Sequence, residues 1–256
     1  MPIIGGGTPA QSGAVAQDIV KVPNTTFAYS MTRIADLEAS EYTQVEIVSD
    51  VSPSVEPWKK EMEDQLKVIL ESCAASPRAQ NLLMRHTMFA SSVRENHGWK
   101  MLSNIVADDY DNCLKISGST ALFDGTLEAV EVMRDSGAKL KASKFTVNGI
   151  IFVITDGVDN ASHHTPSQIK AALDDIRQKE SLESLVTILI GVGDDAASLG
   201  YFQKEAGITH FIAMKDASKS SLAKLAAFIS KSISDQSQAL GTGGPSKQLT
   251  SQSLTI

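Results

Sequence analysis

Short apolar runs alternate along the chain with stretches in which apolar residues recur every three to four positions. A short apolar run is typical of a strand that is covered on both faces, whereas the wider spacing is typical of an amphipathic helix. The runs predict a series of buried strands, together with one segment of weaker strand character. They span 43–50, 82–90, 147–155, 185–191 and 210–213, with the weaker segment at 27–34.

The helix predicted after the first strand shows how the wider spacing is recognised. Its apolar face is formed by Trp58, Met62, Leu66, Ile69 and Cys73. Pro57 fits the first turn of this helix, because that turn leaves its backbone N–H groups unpaired and proline has none. Further helices are predicted at 123–137, 165–176, 198–206 and 222–233.

The tripeptide Asn96-His97-Gly98 predicts a turn, after which residues 99–102 return as a short antiparallel edge strand. Elsewhere strands and helices alternate, which is typical of a parallel sheet. The predicted fold class is therefore α/β, with a doubly wound, mostly parallel central sheet, helices on both faces and one antiparallel edge strand.

The chain of 256 residues is long enough for one large α/β domain. Residues 1–24 are rich in glycine, proline, alanine and threonine, so they are expected to form a flexible or extended N-terminal arm. A single domain is predicted over 25–238, and residues 239–256 read as a polar C-terminal tail.

The most informative segment lies at the end of the first predicted strand. Asp50, Ser52 and Ser54 occupy alternate positions there. Side chains repeat every second residue in an extended chain, so the three oxygen-bearing groups are able to point the same way. Carboxylate and hydroxyl oxygens suit a hard divalent cation such as Mg²⁺.

Two further segments complete a pattern. Thr120 lies in a Gly-Ser-Thr-Ala turn that leads into a helix, and Asp156 follows the apolar run at 149–154. Asp50-x-Ser52-x-Ser54, then Thr120, then Asp156, resembles the metal-ion-dependent adhesion site of von Willebrand factor type A (VWA) domains. The resemblance covers roughly residues 41–235 and implies a VWA/Rossmann-like fold.

The resemblance also implies a function. Ser52, Ser54 and Thr120 would bind Mg²⁺ or Mn²⁺ directly, and Asp50 and Asp156 would supply charge as ligands or as anchors behind the ligands. A metal held in this way keeps a coordination position for an aspartate or glutamate of a protein partner. The expected function is metal-dependent protein–protein interaction and not catalysis, and a multi-subunit assembly is one expected setting for it.

Residues close to these segments have expected supporting roles. Asp124, one helical turn after Thr120, is expected to anchor the turn through backbone hydrogen bonds. His163 and His164 are expected in a solvated loop, with contact to a partner as the alternative. Asp159 and Asn160 lie in the same loop and would tune the metal or contact a partner.

Composition and charge limit the partners and the cellular location that are expected for this protein. The net charge of −7 argues against a nucleic-acid partner. The apolar run at 149–154 is far shorter than the roughly 20 residues of a membrane span, and residues 1–22 lack the features of a secretory signal. Cys73 and Cys113 are too few for a disulfide scaffold and are expected to be buried free thiols. The sequence thus predicts a cytoplasmic protein without a membrane or nucleic-acid partner.

Two other interpretations stay open at this point. Asp50, Ser52 and Ser54 would also serve as helix caps, and Asp156-Gly157 as an ordinary turn, in which case the protein is a metal-free structural or assembly subunit. A bound metal could instead activate water for hydrolysis. The sequence offers no strong candidate for a general base near the proposed metal, so an enzyme is the less favoured interpretation.

Overall fold

The computed structural model describes residues 17–193 and 195–242. One eight-stranded sheet forms the centre of the molecule, and its spatial order is β1-β2-β5-β4-β3-β6-β7-β8. The strands are β1 (Gln17–Lys21), β2 (Ala28–Thr32), β3 (Glu41–Asp50), β4 (Leu82–Phe89), β5 (Val93–Met101), β6 (Thr146–Thr155), β7 (Ser184–Val192) and β8 (His210–Met214). The helices are α1 (Lys59–Ala74), α2 (Leu122–Ala142), α3 (Pro166–Lys179), α4 (Ala196–Ala206) and α5 (Lys219–Gly241).

The sheet is mostly parallel, as the sequence predicts. Strands β4, β3, β6, β7 and β8 run parallel to one another, and the pairs β1–β2 and β4–β5 are antiparallel. Helices α1 and α5 cover one face of the sheet, and α2, α3 and α4 cover the other. The predicted α/β class with an antiparallel edge is therefore confirmed.

The predicted turn at Asn96-His97-Gly98 is wrong. These residues lie inside β5, and the chain reverses at 90–92 instead, where the Ala90 N–H donates to the Ser92 carbonyl at 3.2 Å. The returning strand is antiparallel to β4, as expected, but it is not the edge of the sheet because β2 and β1 lie outside it.

Both predicted domain boundaries differ from the observed elements. Residues 17–21 of the predicted arm form β1, which pairs along its whole length with β2. Its side chains stay largely exposed, so no apolar pattern marks it in the sequence. Helix α5 continues to Gly241, past the predicted end of the domain at 238. The rest of the predicted arm, 1–16, and of the predicted tail, 243–256, lies outside the described residues.

A close approach of backbones joins the β1–β2 hairpin to the sheet. A Cβ atom placed on Gly98 of β5 would lie 2.0 Å from the Ser30 carbonyl oxygen, so only glycine fits there. The Glu95 carboxylate accepts hydrogen bonds from the Ser30 N–H at 3.2 Å and from the Ser30 hydroxyl at 2.8 Å. The Tyr29 hydroxyl donates to Asp135 on α2 at 2.8 Å, which ties the hairpin to a helix as well.

A buried cluster of charge lies between the sheet and α2. The fully buried Arg85 guanidinium contacts three carboxylates, those of Glu46, Glu95 and Glu128. Its bonds to Glu95 and Glu128 measure 2.9 Å and 2.6 Å. Burial raises the pKa of Glu46 to about 8, against the opposing effect of Arg85. The direction of this shift favours the protonated form of Glu46, which would bring the charge of the cluster closer to balance.

Two histidines are buried on the opposite face of the sheet. The Nε2 atom of His86 lies 3.1 Å from the Ser49 hydroxyl, and that of His97 lies 3.1 Å from the Tyr110 hydroxyl. Burial lowers the pKa of His86 to about 3 and that of His97 to about 4, so both rings are neutral near pH 7. Cys73 and Cys113 are free and buried, as predicted.

No helix within residues 17–193 and 195–242 is both long enough and apolar enough to cross a bilayer.

Candidate metal centre

The first segment of the candidate site leaves the sheet at the carboxyl end of β3. Asp50 is the last residue of the strand, and a 3₁₀ turn over Pro53–Trp58 follows almost at once. The Ser52 N–H donates to Asp50 Oδ1 at 2.8 Å, and the hydroxyls of Ser52 and Ser54 lie 3.1 Å apart. The Ser52 side chain makes no capping hydrogen bond to the turn, and neither does Trp58 at the start of α1. The Ser52 side chain therefore does not cap the 3₁₀ turn, a role that the metal-free interpretation had offered for it.

The second segment meets the first because β3 and β6 are neighbours. Ser49 pairs with Ile154, so the residues that follow each strand emerge side by side. The Ser54 hydroxyl donates to Asp156 Oδ1 at 2.8 Å, across 102 positions of sequence. The Thr155 hydroxyl donates to Asp50 Oδ2 at 2.6 Å. Each carboxylate is thus hydrogen-bonded to a residue of the other segment. Asp50 at the end of β3 is bonded to Thr155 of β6, and Asp156 after β6 is bonded to Ser54 after β3.

The third segment joins through its backbone. The Thr120 N–H donates to the Asn160 side-chain oxygen at 2.8 Å, and the Asn160 N–H donates to the Thr120 carbonyl at 2.9 Å. The Ser117 N–H donates to the Val51 carbonyl at 2.9 Å, which ties the same loop to the end of β3. Thr120 itself is buried. Within the described part of the chain, its hydroxyl makes no hydrogen bond to the other four predicted ligands.

The electrostatics of the site match a cation. Burial raises the pKa of Asp50. Hydrogen bonds from Thr155 and Ser52 oppose this rise in the pKa, and the negative charge of Asp156 adds to it. Burial likewise raises the pKa of Asp156, with hydrogen bonding from Ser54 and Trp58 as the opposing effect. Among the described residues, no lysine or arginine is a leading influence on either carboxyl group. A buried and a half-buried carboxylate, on which no described lysine or arginine is a leading influence, are an environment that a divalent cation would stabilise.

The donor set fits a hard cation such as Mg²⁺ or Mn²⁺ more closely than a softer metal that prefers nitrogen or sulfur ligands. The five predicted ligands offer two carboxylates and three hydroxyls, all of them oxygen. Within residues 17–193 and 195–242, no three His, Cys, Asp or Glu side chains gather in a way that could hold a metal. A metal at this site therefore depends on the hydroxyls of Ser52, Ser54 and Thr120.

Thr155 and Ser162 were not recognised in the sequence as supporting residues, and Asp159 and Asn160 were expected to tune the metal or contact a partner and not to hold loops. Thr155 holds Asp50 in place, and Asn160 holds the Thr120 loop. Asp159 and Ser162 accept hydrogen bonds from the Phe123 N–H at 3.3 Å and 3.0 Å, which fixes the start of α2. Thr155 directly precedes Asp156 in the sequence, but the sequence does not show that its hydroxyl bonds to Asp50. That contact follows from the pairing of β3 with β6.

Asp124 anchors a loop through backbone hydrogen bonds, as predicted, but this is the loop after β6 and not the turn that contains Thr120. Its carboxylate accepts hydrogen bonds from the backbone N–H groups of His163 at 3.0 Å and His164 at 2.9 Å. The His164 ring lies against the same carboxylate, with Nδ1 2.8 Å from Oδ1. His163 is 86% exposed at its side chain, as expected for a solvated loop.

The sheet order and the strand-end loops define the molecule as a domain with a VWA-like α/β fold, and solved structures agree. The chain is similar to the PilB minor pilin from Streptococcus sanguinis, with a TM-score of 0.54 and 15% identity, covering 81% of this chain and 64% of that one. It is also similar to proximal thread matrix protein 1 from the mussel byssus with a zinc-occupied metal-ion-dependent adhesion site, with a TM-score of 0.51 and 19% identity, covering 76% and 46%.

A third similar structure is the pilus adhesin SpaC from Lactobacillus rhamnosus GG, with a TM-score of 0.55 and 12% identity, covering 81% of this chain and 32% of that one. The chain thus spans between about a third and two thirds of the length of these proteins. No protein-family model matches the sequence, and no curated protein sequence matches it. At these identities the similarity establishes the fold alone.

Proposed function

We propose that the protein is a metal-dependent protein–protein interaction module. Asp50, Ser52, Ser54, Thr120 and Asp156 would hold Mg²⁺ or Mn²⁺, and the metal would bind an aspartate or glutamate of a protein partner. The observation that carries the proposal is the hydrogen bond between Ser54 and Asp156, which joins two distant segments around two carboxylates. Among the described residues, no lysine or arginine is a leading influence on the pKa of either carboxyl group. The metal would supply a positive charge and a coordination position for the partner's carboxylate.

The chain's own residues would prepare this interaction. Thr155 orients Asp50 and the Ser52 N–H holds its other oxygen, so this carboxylate is fixed before any ligand arrives. Asn160 holds the Thr120 loop against the site. Similarity to the minor pilin and to a byssus matrix protein supports a role in protein assemblies, although the fold alone does not name a partner.

The proposal assigns binding and no catalysis. It also keeps the cytoplasmic location expected from the sequence, with which the free thiols of Cys73 and Cys113 are compatible. The competing proposal is a metal-free assembly subunit. It is favoured by one observation, namely that the hydroxyls of Ser52 and Ser54 and the carboxylates of Asp50 and Asp156 already make hydrogen bonds within the protein.

Metal titration separates the two proposals. Adding Mg²⁺ or Mn²⁺ to the purified chain is expected to change the fluorescence of Trp58, because this residue lies beside Asp156. Isothermal titration calorimetry should show one site, and the variants Ser54→Ala, Thr120→Ala and Asp156→Ala should each weaken binding at least about tenfold, since metal sites lose affinity when even a supporting group is removed.

The matched control is Ser119→Ala, which removes a hydroxyl one position before Thr120 that is not a predicted ligand. It should bind metal like the unaltered protein. If the unaltered chain binds neither metal, or if Ser119→Ala and Thr120→Ala weaken binding equally, the metal-dependent proposal is wrong and the metal-free assembly subunit is favoured.

A further inference from the structure

An apolar groove of about 370 Å³ lies beside the candidate metal centre. We define the side groove by six of its lining residues. They are Phe123, Val158, Pro166, Leu199, Tyr201 and Phe202. Its walls are the start of α2, the loop after β6 and helix α4. The volume is at the lower end of the roughly 300–1,000 Å³ typical of ligand pockets, which suits one or two side chains of a partner.

The side groove exposes apolar surface that folding alone leaves unexplained. Tyr201 is 65% exposed and Val158 is 41% exposed, and both are among the few large apolar residues at the surface of the described structure. The rings of Phe123 and Phe202 lie below them with centroids 4.8 Å apart. Contiguous exposed apolar surface of this kind marks an interaction site more often than scattered single residues do.

The side groove and the metal centre share two structural elements. The loop after β6 carries Asp156 at its start and Val158 two residues later, and the helix that follows Thr120 carries Phe123 three residues on. The Phe123 N–H donates hydrogen bonds to Asp159 and Ser162, and these bonds fasten the two elements together. A partner segment that places its carboxylate on the metal would therefore place neighbouring residues over the side groove, because an extended chain advances only about 3.3 Å per residue.

The charges around the side groove select against a second acidic group. Its charged lining residues are Asp159 and Glu205, and among the described residues that line it none is basic. Asp159 accepts hydrogen bonds within its own loop, and Glu205 accepts one from the Tyr201 hydroxyl at 2.6 Å. These acids leave an apolar floor with a negative rim, which favours an uncharged apolar side chain over a carboxylate.

We infer that the partner of this protein presents a bulky apolar residue within about three positions of its metal-binding aspartate or glutamate, and that this residue occupies the side groove. The inference rests on the proposed function of the metal centre and adds a specificity element to it. It names the chemistry of the partner segment as one carboxylate for the metal and one leucine-like or phenylalanine-like side chain for the groove.

Defined peptides test this inference. The probes are immobilised peptides on a glycine–serine background, each with one glutamate and one phenylalanine, with the phenylalanine moved through the three positions on either side. A matched set carries serine in place of phenylalanine. In surface plasmon resonance with millimolar Mg²⁺, at least one phenylalanine register should bind about tenfold tighter than its serine counterpart, the effect expected from burying such a side chain.

Variants then assign the preference to the side groove. The double variant Val158→Ser/Tyr201→Ser changes exposed residues only, so it should fold normally and bind the phenylalanine and serine peptides equally. Val106→Ser, which replaces an equally simple residue that is 57% exposed and outside the groove, should keep the preference. Asp156→Ala or EDTA should abolish binding of both peptide sets.

The outcomes distinguish the groove from the metal centre. Mg²⁺-dependent binding of glutamate peptides with no preferred phenylalanine register, or with a preference that survives Val158→Ser/Tyr201→Ser, would overturn the side-groove inference and leave the proposed function standing. Absence of Mg²⁺-dependent binding by every peptide would overturn both.

Discussion

Replacing Arg85 by methionine is expected to destabilise the protein by about 3–5 kcal/mol, the usual cost of leaving buried charges without their partner. The guanidinium is fully buried and holds Glu46, Glu95 and Glu128 together. Without it, carboxylates would face one another in a low-dielectric interior with nothing to offset their charge. The free energy of unfolding, measured by urea denaturation near neutral pH, gives the effect directly.

The matched comparison removes an exposed ion pair. Lys170→Met breaks the pair with Asp174, whose side chains are 54% and 39% exposed, and should cost less than about 1 kcal/mol. Equal losses of stability in Arg85→Met and Lys170→Met would contradict a buried charge cluster at this place in the fold.

The raised pKa of Glu46 is expected to make the stability of the protein depend on pH. The unfolded chain releases the Glu46 proton near its ordinary pKa of 4.5, whereas the folded protein retains it until about 8. The folded state thus binds more protons between these values, and its stability falls as pH rises through that window, by at most about 1.4 kcal/mol per pH unit. Glu46→Gln is neutral at every pH and should lack this fall.

The measurement is the difference in unfolding free energy between Glu46→Gln and the unaltered protein as pH rises. Taking the difference removes the opposite contribution of His86 and His97, whose lowered pKa values make stability fall as pH drops below 6.5. A difference that stays constant with pH would show that Glu46 is ionised in the folded state.

Gly98→Ala is expected to destabilise the protein by about 1–3 kcal/mol, the range for overpacking a well-packed interior. The added methyl group would lie 2.0 Å from the Ser30 carbonyl oxygen and 2.2 Å from its hydroxyl, so β2 would have to move away from β5. Strand propensity alone predicts the opposite sign, since alanine loses less conformational freedom than glycine on folding. Chemical denaturation measures the change, and limited proteolysis should show faster cleavage of the β1–β2 hairpin.

Gly157→Ala is the matched control for this prediction. A Cβ atom there would have no other heavy atom within 4 Å, and the variant should stay within about 0.5 kcal/mol of the unaltered protein. If Gly98→Ala is as stable as Gly157→Ala, the close contact between β2 and β5 does not exist.

The parts of this fold that bury side chains were predictable from sequence, and the parts that depend on backbone contact were not. Strand β6 is recognised because both faces are covered and its residues are apolar almost throughout, and β3 because Val45, Ile47 and Val48 form a short apolar stretch. Strand β1 has exposed side chains and pairs only through its backbone, so no periodicity reveals it. Gly98 suggested a turn because turns and close backbone contacts both require a residue without a side chain, and sequence does not separate the two.

The candidate site divides in a similar way. Asp50, Ser52 and Ser54 were singled out by the two-residue repeat of an extended segment, and Asp156 by its place after a buried strand. The chain is not extended as far as Ser54, however, because this residue lies in the 3₁₀ turn over Pro53–Trp58. Thr120 entered only through the resemblance to VWA domains, since a threonine in a loop carries little information by itself. Thr155 and Asn160 act on residues more than thirty positions away, and their roles follow only from the sheet order.

The cluster around Arg85 constrains how this protein can change over generations. Replacing Arg85 by a neutral residue leaves surplus negative charge in the interior. Replacing Glu128 alone by a neutral residue leaves the Arg85 guanidinium with one carboxylate partner fewer. Substitutions of residues in direct contact do not add independently, so an apolar version of the cluster requires several simultaneous changes. Drift should therefore retain or lose these positions as a set, even where the surrounding sequence diverges freely.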